Sequence, residues 1–244
     1  VSSTTGPDSQ PLPDYLHGIA RRARFGTERL GRPLAPTPRA WTPRRSAVLL
    51  LLAGMQVADA HVLVEERGHE MRSQPGQFSL PGGGVEPEDV DVIATALRES
   101  REEIGLVPSA VEVLGAFAPI AMPWRSNEVY PVLAWAPQVP PVRVVDPHEV
   151  ASVRALPLAG DGSLTDPAVR RRGLLDGKEA GPAFDLPEGT FVWGFTAMLL
   201  EGMLQHMDLL PADADRAAAP AMEIPERRRR EGALRPTETD RPAL

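Results

Sequence analysis

Strand-like and helix-like stretches alternate through the middle of this 244-residue chain, which points to one α/β domain. Three observations carry that reading. Residues 46–53 hold an unbroken apolar run of strand length, Ala47-Val48-Leu49-Leu50-Leu51-Leu52-Ala53 after Ser46. Between 89 and 104, Ile93, Ala96, Leu97, Ser100 and Ile104 fall on one stripe at helical spacing. Strand-like stretches return after that helix, at 111–118, 129–135 and 150–156.

Taken in order, residues 1–13 are polar and bear Pro and Gly, so they are expected to be disordered. A helix is expected over 14–25, with Leu16, Ile19 and Ala20 on one face and Asp14 as N-cap. Four prolines within 30–45 read as an extended arm, so residues 14–37 form a helical and extended lead-in. A second, shorter strand is expected at 60–66, and 67–88 reads as a loop ending in Phe78-Ser79-Leu80-Pro81-Gly82-Gly83-Gly84. Gly105 stops the helix over 89–104. The stretch 161–187 has no clear period, while Val192, Phe195, Leu199 and Met203 give 191–207 a helical pattern with Trp193 and Phe195 as core. The domain is therefore drawn at 38–210, followed by a disordered tail at 211–244 rich in Ala, Pro, Arg and Glu.

Composition excludes several classes of function. A net charge of −7 argues against a general nucleic-acid binder, which needs a basic face. The basic run at 227–230 is flanked by Glu223, Glu226 and Glu231 and reads as solvated tail. No apolar run approaches the roughly 20 residues of a membrane helix, and no basic-then-apolar leader opens the sequence. The absence of cysteine removes disulfides, thiolate catalysis and Cys-based zinc sites, and fits a reducing, cytoplasmic setting.

The chemistry-bearing feature is Arg98-Glu99-Ser100-Arg101-Glu102-Glu103. On a helix, Glu99, Glu102 and Glu103 stand at i, i+3 and i+4 and share a face. Like-charged side chains at that spacing repel, and a divalent cation supplies the missing counter-charge. Carboxylate oxygens suit magnesium or manganese better than zinc. A Glu-rich helix face is ordinarily just a solvated one. Here Pro81-Gly82-Gly83-Gly84 precedes it, and only glycine allows so close a backbone approach.

Gly83, five residues, Asp89, eight residues, then Arg98-Glu99-Ser100-Arg101-Glu102-Glu103-Ile104-Gly105-Leu106 resembles the Nudix box. The spacing to Arg98 is one residue longer than usual, the first acid is Asp89, and Ser100 takes an apolar place. The resemblance implies a Nudix fold, a mixed β-sheet sandwiched between helices, and hydrolysis of a nucleoside diphosphate linked to another group. It implies that Glu99, Glu102 and Glu103 hold the metal, Mg2+ or Mn2+, and that Arg98 fixes a carboxylate by a charge-assisted bond. The water's proton is expected to go to one of the helix glutamates, Glu99 or Glu103, or to an acid from a later loop, for which Glu149 in Asp146-Pro147-His148-Glu149 is the candidate.

Outside the box, Arg72, Gly76, Leu80-Pro81-Gly82-Gly83 and Phe191-Val192-Trp193-Gly194-Phe195-Thr196-Ala197 are similar to segments of the coenzyme A diphosphatase subfamily. Where that subfamily carries hydroxyls, this chain has Glu65 and Glu66, which are expected to repel a polyanionic ligand. Arg72, Gly82 and Gly83 are the expected substrate contacts, the glycine turn meeting the diphosphate and Arg72 the 3′-phosphate of coenzyme A, and Trp124, in a Pro-bearing loop, is placed to stack on adenine. The expected reaction is cleavage of coenzyme A or an acyl-CoA to a 4′-phosphopantetheine fragment and adenosine 3′,5′-bisphosphate. ADP-ribose or another dinucleotide-type substrate is the alternative, and a non-catalytic nucleotide-sensing module the third reading. The partner is thus a small nucleoside diphosphate derivative, without nucleic acid or membrane, and a homodimer is allowed for.

Overall fold

The computed structural model describes residues 10–31, 42–71, 74–210, 218–226 and 229. Twelve strands and three α-helices are found among them. In chain order they are α1 (Asp14–Phe25), β1 (Arg44–Ala53), β2 (His61–Arg67), β3 (Phe78–Ser79), β4 (Gly82–Gly84), α2 (Val92–Ile104), β5 (Glu112–Ala116), β6 (Ile120–Met122), β7 (Asn127–Ala136), β8 (Val150–Pro157), β9 (Arg170–Leu175), β10 (Lys178–Asp185), β11 (Phe191–Trp193), α3 (Gly194–His206) and β12 (Ala221–Glu223).

The main sheet is mixed. β1 runs parallel to β7 over ten residue pairs, from Arg44 opposite Asn127 to Ala53 opposite Ala136. Its other pairings, β1 with β2 and β4, β2 with β3 and β8, and β7 with β5 and β6, are antiparallel. The unbroken apolar run of β1 follows from its central place, because both of its faces are covered. Leu49 and Leu51 pack with Ala96 and Ile104 of α2, whereas Leu50 and Leu52 pack with Leu16 and Ile19 of α1 and Leu199 and Met203 of α3. The sheet is thus sandwiched between helices, as expected.

Several boundaries move. The helix 14–25 is found as expected, but Pro13 is the cap and Asp14 begins the first turn. It is no detached arm: Leu16 and Ile19 are fully buried, so the domain starts before residue 38. The helix expected over 191–207 opens as a strand, β11, before α3 begins at Gly194. The unassigned stretch 161–187 contains the β9–β10 hairpin, turned by Asp176-Gly177 with φ of 52° and 73°. β11, β10, β9 and β12 form a second sheet of four strands. β12 corrects the expectation of disorder over all of 211–244. It pairs in parallel with β9, and Ile224 after it is buried with Ala183, Phe191 and Trp193. No helix among the described residues is long and apolar enough to cross a membrane. Residues 1–9 and 32–41 and most of 211–244 lie outside the described residues, and the expectations for them with them.

Candidate active site

Two glycines and one helix build the site. β4 is laid antiparallel on β1 so closely that a Cβ on Gly82 would meet Ala47 O at 2.2 Å, and φ there is 155°. On its other side β4 meets α2. Gly82 N donates to Glu103 Oε2 at 2.8 Å, and a Cβ on Gly83 would sit 2.4 Å from Glu99 Oε1. The backbone of β1 demands a glycine at 82, and a side chain at 83 would displace the Glu99 carboxylate. Asp91 caps α2 by accepting from Ala94 N, and Gly105, with φ of 65°, closes it. Ser100, at an apolar place of the box, is fully buried and returns its hydroxyl proton to Ala96 O at 2.7 Å.

Arg98 ties the loop before α2 to the helix. It donates to Asp89 twice at 3.1 Å, to Gly84 O at 2.8 Å, and to Glu99 and Glu102 at 3.1 Å each. Those bonds, with donations from Glu86 N and Thr95 Oγ1, hold the Asp89 carboxyl well below the usual range. The expected role of Arg98 in fixing a carboxylate thus falls on three acids together.

The three helix glutamates differ. Glu103 is buried, and its carboxyl is pushed up by that burial and by the neighbouring Glu65. Glu99 is also raised by burial, against the lowering effect of Arg98. Glu102 stands half exposed on the outer side, between Arg98 and Arg101. Among the described residues no three acids or histidines converge as a ready cation cage. The donors present are nonetheless carboxylate oxygens crowded without enough positive charge, a chemistry that fits a hard divalent cation.

A cavity of about 720 Å³ opens on the same glycines. Arg67, Arg125, Gln74 and Asn127 line its polar part, while Val48, Met122, Phe195 and Leu199 line its apolar part. Gly82 and Gly83 are shared: they line the cavity and touch Glu103 and Glu99. Trp193 and Phe195 belong to the core packing as expected, and they reach the cavity wall as well.

The sequence placed other residues here with mixed outcome. Glu149 is exposed in the turn before β8 and is not among the residues lining the cavity; its backbone N–H donates to Asp146 O at 3.1 Å and its backbone oxygen accepts from Gly68 N at 2.7 Å. Arg72 lies outside the described residues. Trp124 belongs to a short 3₁₀ turn, Pro123–Arg125, on the cavity rim, and its side chain lies outside what is described. Sequence reasoning missed Arg67, Arg125 and Glu65. Glu65 and Glu66 do not confront a ligand, since neither lines the cavity: Glu65 is buried beside Ser79 and Glu103, and Glu66 accepts from Ser152. Period-two alternation along β2 was the available signal for Glu65, because it puts position 65 on the same face as the buried Leu63.

Residues 43–162 match the NUDIX domain family. A protein of Shigella boydii serotype 4 described as uncharacterized Nudix hydrolase NudL is 33 % identical over 171 residues, covering 69 % of this chain and 85 % of that protein. The protein of the same description from Escherichia coli O1:K1 matches to the same identity and coverage. Among solved structures, a MutT/nudix family protein from Enterococcus faecalis aligns with TM-score 0.39 and 25 % identity, over 50 % of this chain and 46 % of that one. An Ap4A hydrolase binary complex from C. elegans aligns with TM-score 0.38 and 18 % identity, over 47 % and 80 %. With one third of its residues shared across most of the length of the NudL proteins, and the glycine strand and helix carboxylates in contact, the chain belongs to the Nudix hydrolase family.

Proposed function

We propose that the protein hydrolyses the diphosphate bond of coenzyme A or an acyl-CoA, releasing a 4′-phosphopantetheine fragment and adenosine 3′,5′-bisphosphate. Support comes chiefly from one observation: Gly82 and Gly83, which touch Glu103 and Glu99, line a cavity whose wall includes Arg67 and Arg125 as well as Val48, Met122, Phe195 and Leu199. A ligand with a polyanionic end, a diphosphate and an apolar arm calls for both kinds of lining. Glu65 and Glu66, the acids expected to repel such a ligand, stand outside the cavity lining.

In this reading Glu99 and Glu103, with Glu102 at the rim, hold Mg2+ or Mn2+. Such a cation, when bound, neutralises diphosphate charge and activates water. Arg98 keeps Glu99 and Glu102 oriented through its 3.1 Å bonds. Glu99 accepts the proton of the attacking water, a role that its raised basicity and its place against Gly83 suit better than the exposed Glu149. Arg67 and Arg125 receive phosphate oxygens, and Arg72 adds to them from the preceding loop.

The test is a screen of coenzyme A, ADP-ribose, NADH and dinucleoside polyphosphates with magnesium and with manganese, with products identified. The highest kcat/KM is expected for coenzyme A or an acyl-CoA. A tenfold preference for ADP-ribose or a dinucleotide would replace the substrate, and tight nucleotide binding without any turnover would make the domain a sensor.

A further inference from the structure

Glu65 is the least expected side chain in the molecule. It sits on β2 of the main sheet, opposite Ser79 of β3 and Val153 of β8, and is 1 % exposed. Ser79 Oγ donates to its Oε1 at 3.2 Å, but its Oε2 is buried and meets no hydrogen-bond donor among the described residues. The group within its reach is the carboxyl of Glu103, which is itself buried and accepts from Gly82 N. The charge of Arg67 acts on both, and that of Glu99 opposes it. Two adjacent carboxyls out of water call for a shared counter-ion, and leaving an acceptor there unmet is costly.

We propose that Glu65 is a ligand of the divalent cation, forming with Glu103 a buried two-carboxylate seat that joins β2 of the sheet to the Nudix helix. This deepens the metal-dependent reading above and rests on it. To the helix carboxylates of that reading Glu65 adds one from the sheet, and water and substrate phosphate fill the remaining positions, as is ordinary for magnesium. That ligand comes from a strand rather than from the helix, so the cation cross-links two elements of the fold.

The experiment is direct Mn2+ binding to the full chain without substrate, read by electron paramagnetic resonance of free Mn2+ and by calorimetry. Glu65→Gln keeps the shape and an acceptor for Ser79. It is expected to weaken Mn2+ binding at least tenfold, as Glu103→Gln does, while the metal-free unfolding midpoint holds or rises. Glu66→Gln, on the adjacent position of the same strand, should stay within twofold. Wild-type Mn2+ affinity in Glu65→Gln would overturn the proposal and leave Glu65 and Glu103 as a proton-sharing pair. If Glu65→Gln does not fold, Fe2+ with peroxide on the wild type decides: backbone cuts near 65 as well as near 99–103 support it, and cuts confined to the helix overturn it. A protein that binds Mn2+ through Glu65 yet spares coenzyme A keeps this proposal and loses only the substrate. A wild type without any Mn2+ site loses both.

Discussion

Arg98 and Asp89 meet through two bonds of 3.1 Å, Nε donating to Oδ1 and Nη2 to Oδ2, which lock the loop after β4 onto the middle of α2. Paired, charge-assisted bonds of this kind are among the stronger polar contacts in proteins. Asp89→Asn is expected to destabilise the fold by about 1.5–3 kcal/mol at neutral pH, measured by denaturant unfolding. The acid side of the curve gives the sign. The folded pKa of Asp89 is depressed, so its contribution is present above the ordinary pKa of about 3.9 and is lost as pH falls through the folded value. The gap between wild type and variant should therefore be flat above about pH 5 and narrow below about pH 4. A gap that grows toward acid would show that Asp89 is not the ionised partner.

Glu99→Gln and Glu103→Gln should each lower kcat at least about a hundredfold, since electrostatic assistance by a cation is worth several kcal/mol. Stability should hold or rise in both. Each change removes a charge from crowded acids, and glutamine can still accept from Gly82 N at position 103. Near-normal turnover in either variant would strip that residue of its role.

Much of the fold and half of the site could be seen in the residues alone. Strong periodicity made α1 and α2 plain, and the two-sided burial of β1 explains why its run lacked alternation. The β9–β10 hairpin was hidden because Arg170-Arg171-Arg172-Gly173 and the Gly181-Pro182 pair break any apolar pattern, although Asp176-Gly177 is a hairpin signal. β12 was hidden in an Ala- and Pro-bearing stretch whose only larger apolar anchors are Met222 and Ile224. The box glutamates could be named from spacing, whereas alternation along β2 could show Glu65 facing inward but not what it meets. Its partner is 38 positions away, and only the sheet brings the two together. For Glu149 the residues were silent in the converse way, as an acid before a strand carries no sign of which way its loop turns.

Ile224→Ala tests the correction at the C-terminal side. The side chain is 1 % exposed and closes the small core of Ala183, Phe191 and Trp193 under the second sheet. The loss should be about 2–4 kcal/mol, the usual cost of such a truncation. Trp193 also faces the cavity, so KM should rise along with it. A loss under about 0.5 kcal/mol, the range of a surface change, would return β12 to solvent.

Glu149→Gln should leave kcat and KM within twofold of wild type, because the side chain is exposed and away from the cavity lining. Steady-state kinetics on the preferred substrate settle the matter. A drop of a hundredfold would mean that the turn over 146–150 closes onto the site during catalysis.

The last expectation concerns the two cavity arginines. Burial lowers the pKa of Arg125, and the charge of Arg67 lowers it further. An anion beside them relieves that repulsion, as the proposed phosphate contact requires. Arg125→Met should therefore raise KM for a polyanionic substrate roughly ten- to a hundredfold, the equivalent of about 1.5–3 kcal/mol for a bond to a charged group. The unfolding midpoint without ligand should hold or rise. Arg125→Lys should fall between the two, as lysine keeps the charge but not the planar fork. Comparing coenzyme A with its analogue lacking the 3′-phosphate locates the contact. An effect confined to coenzyme A puts Arg125 on the 3′-phosphate, and an equal effect on both puts it on the diphosphate. A fall in kcat with KM unchanged would mean instead that the contact forms only in the transition state.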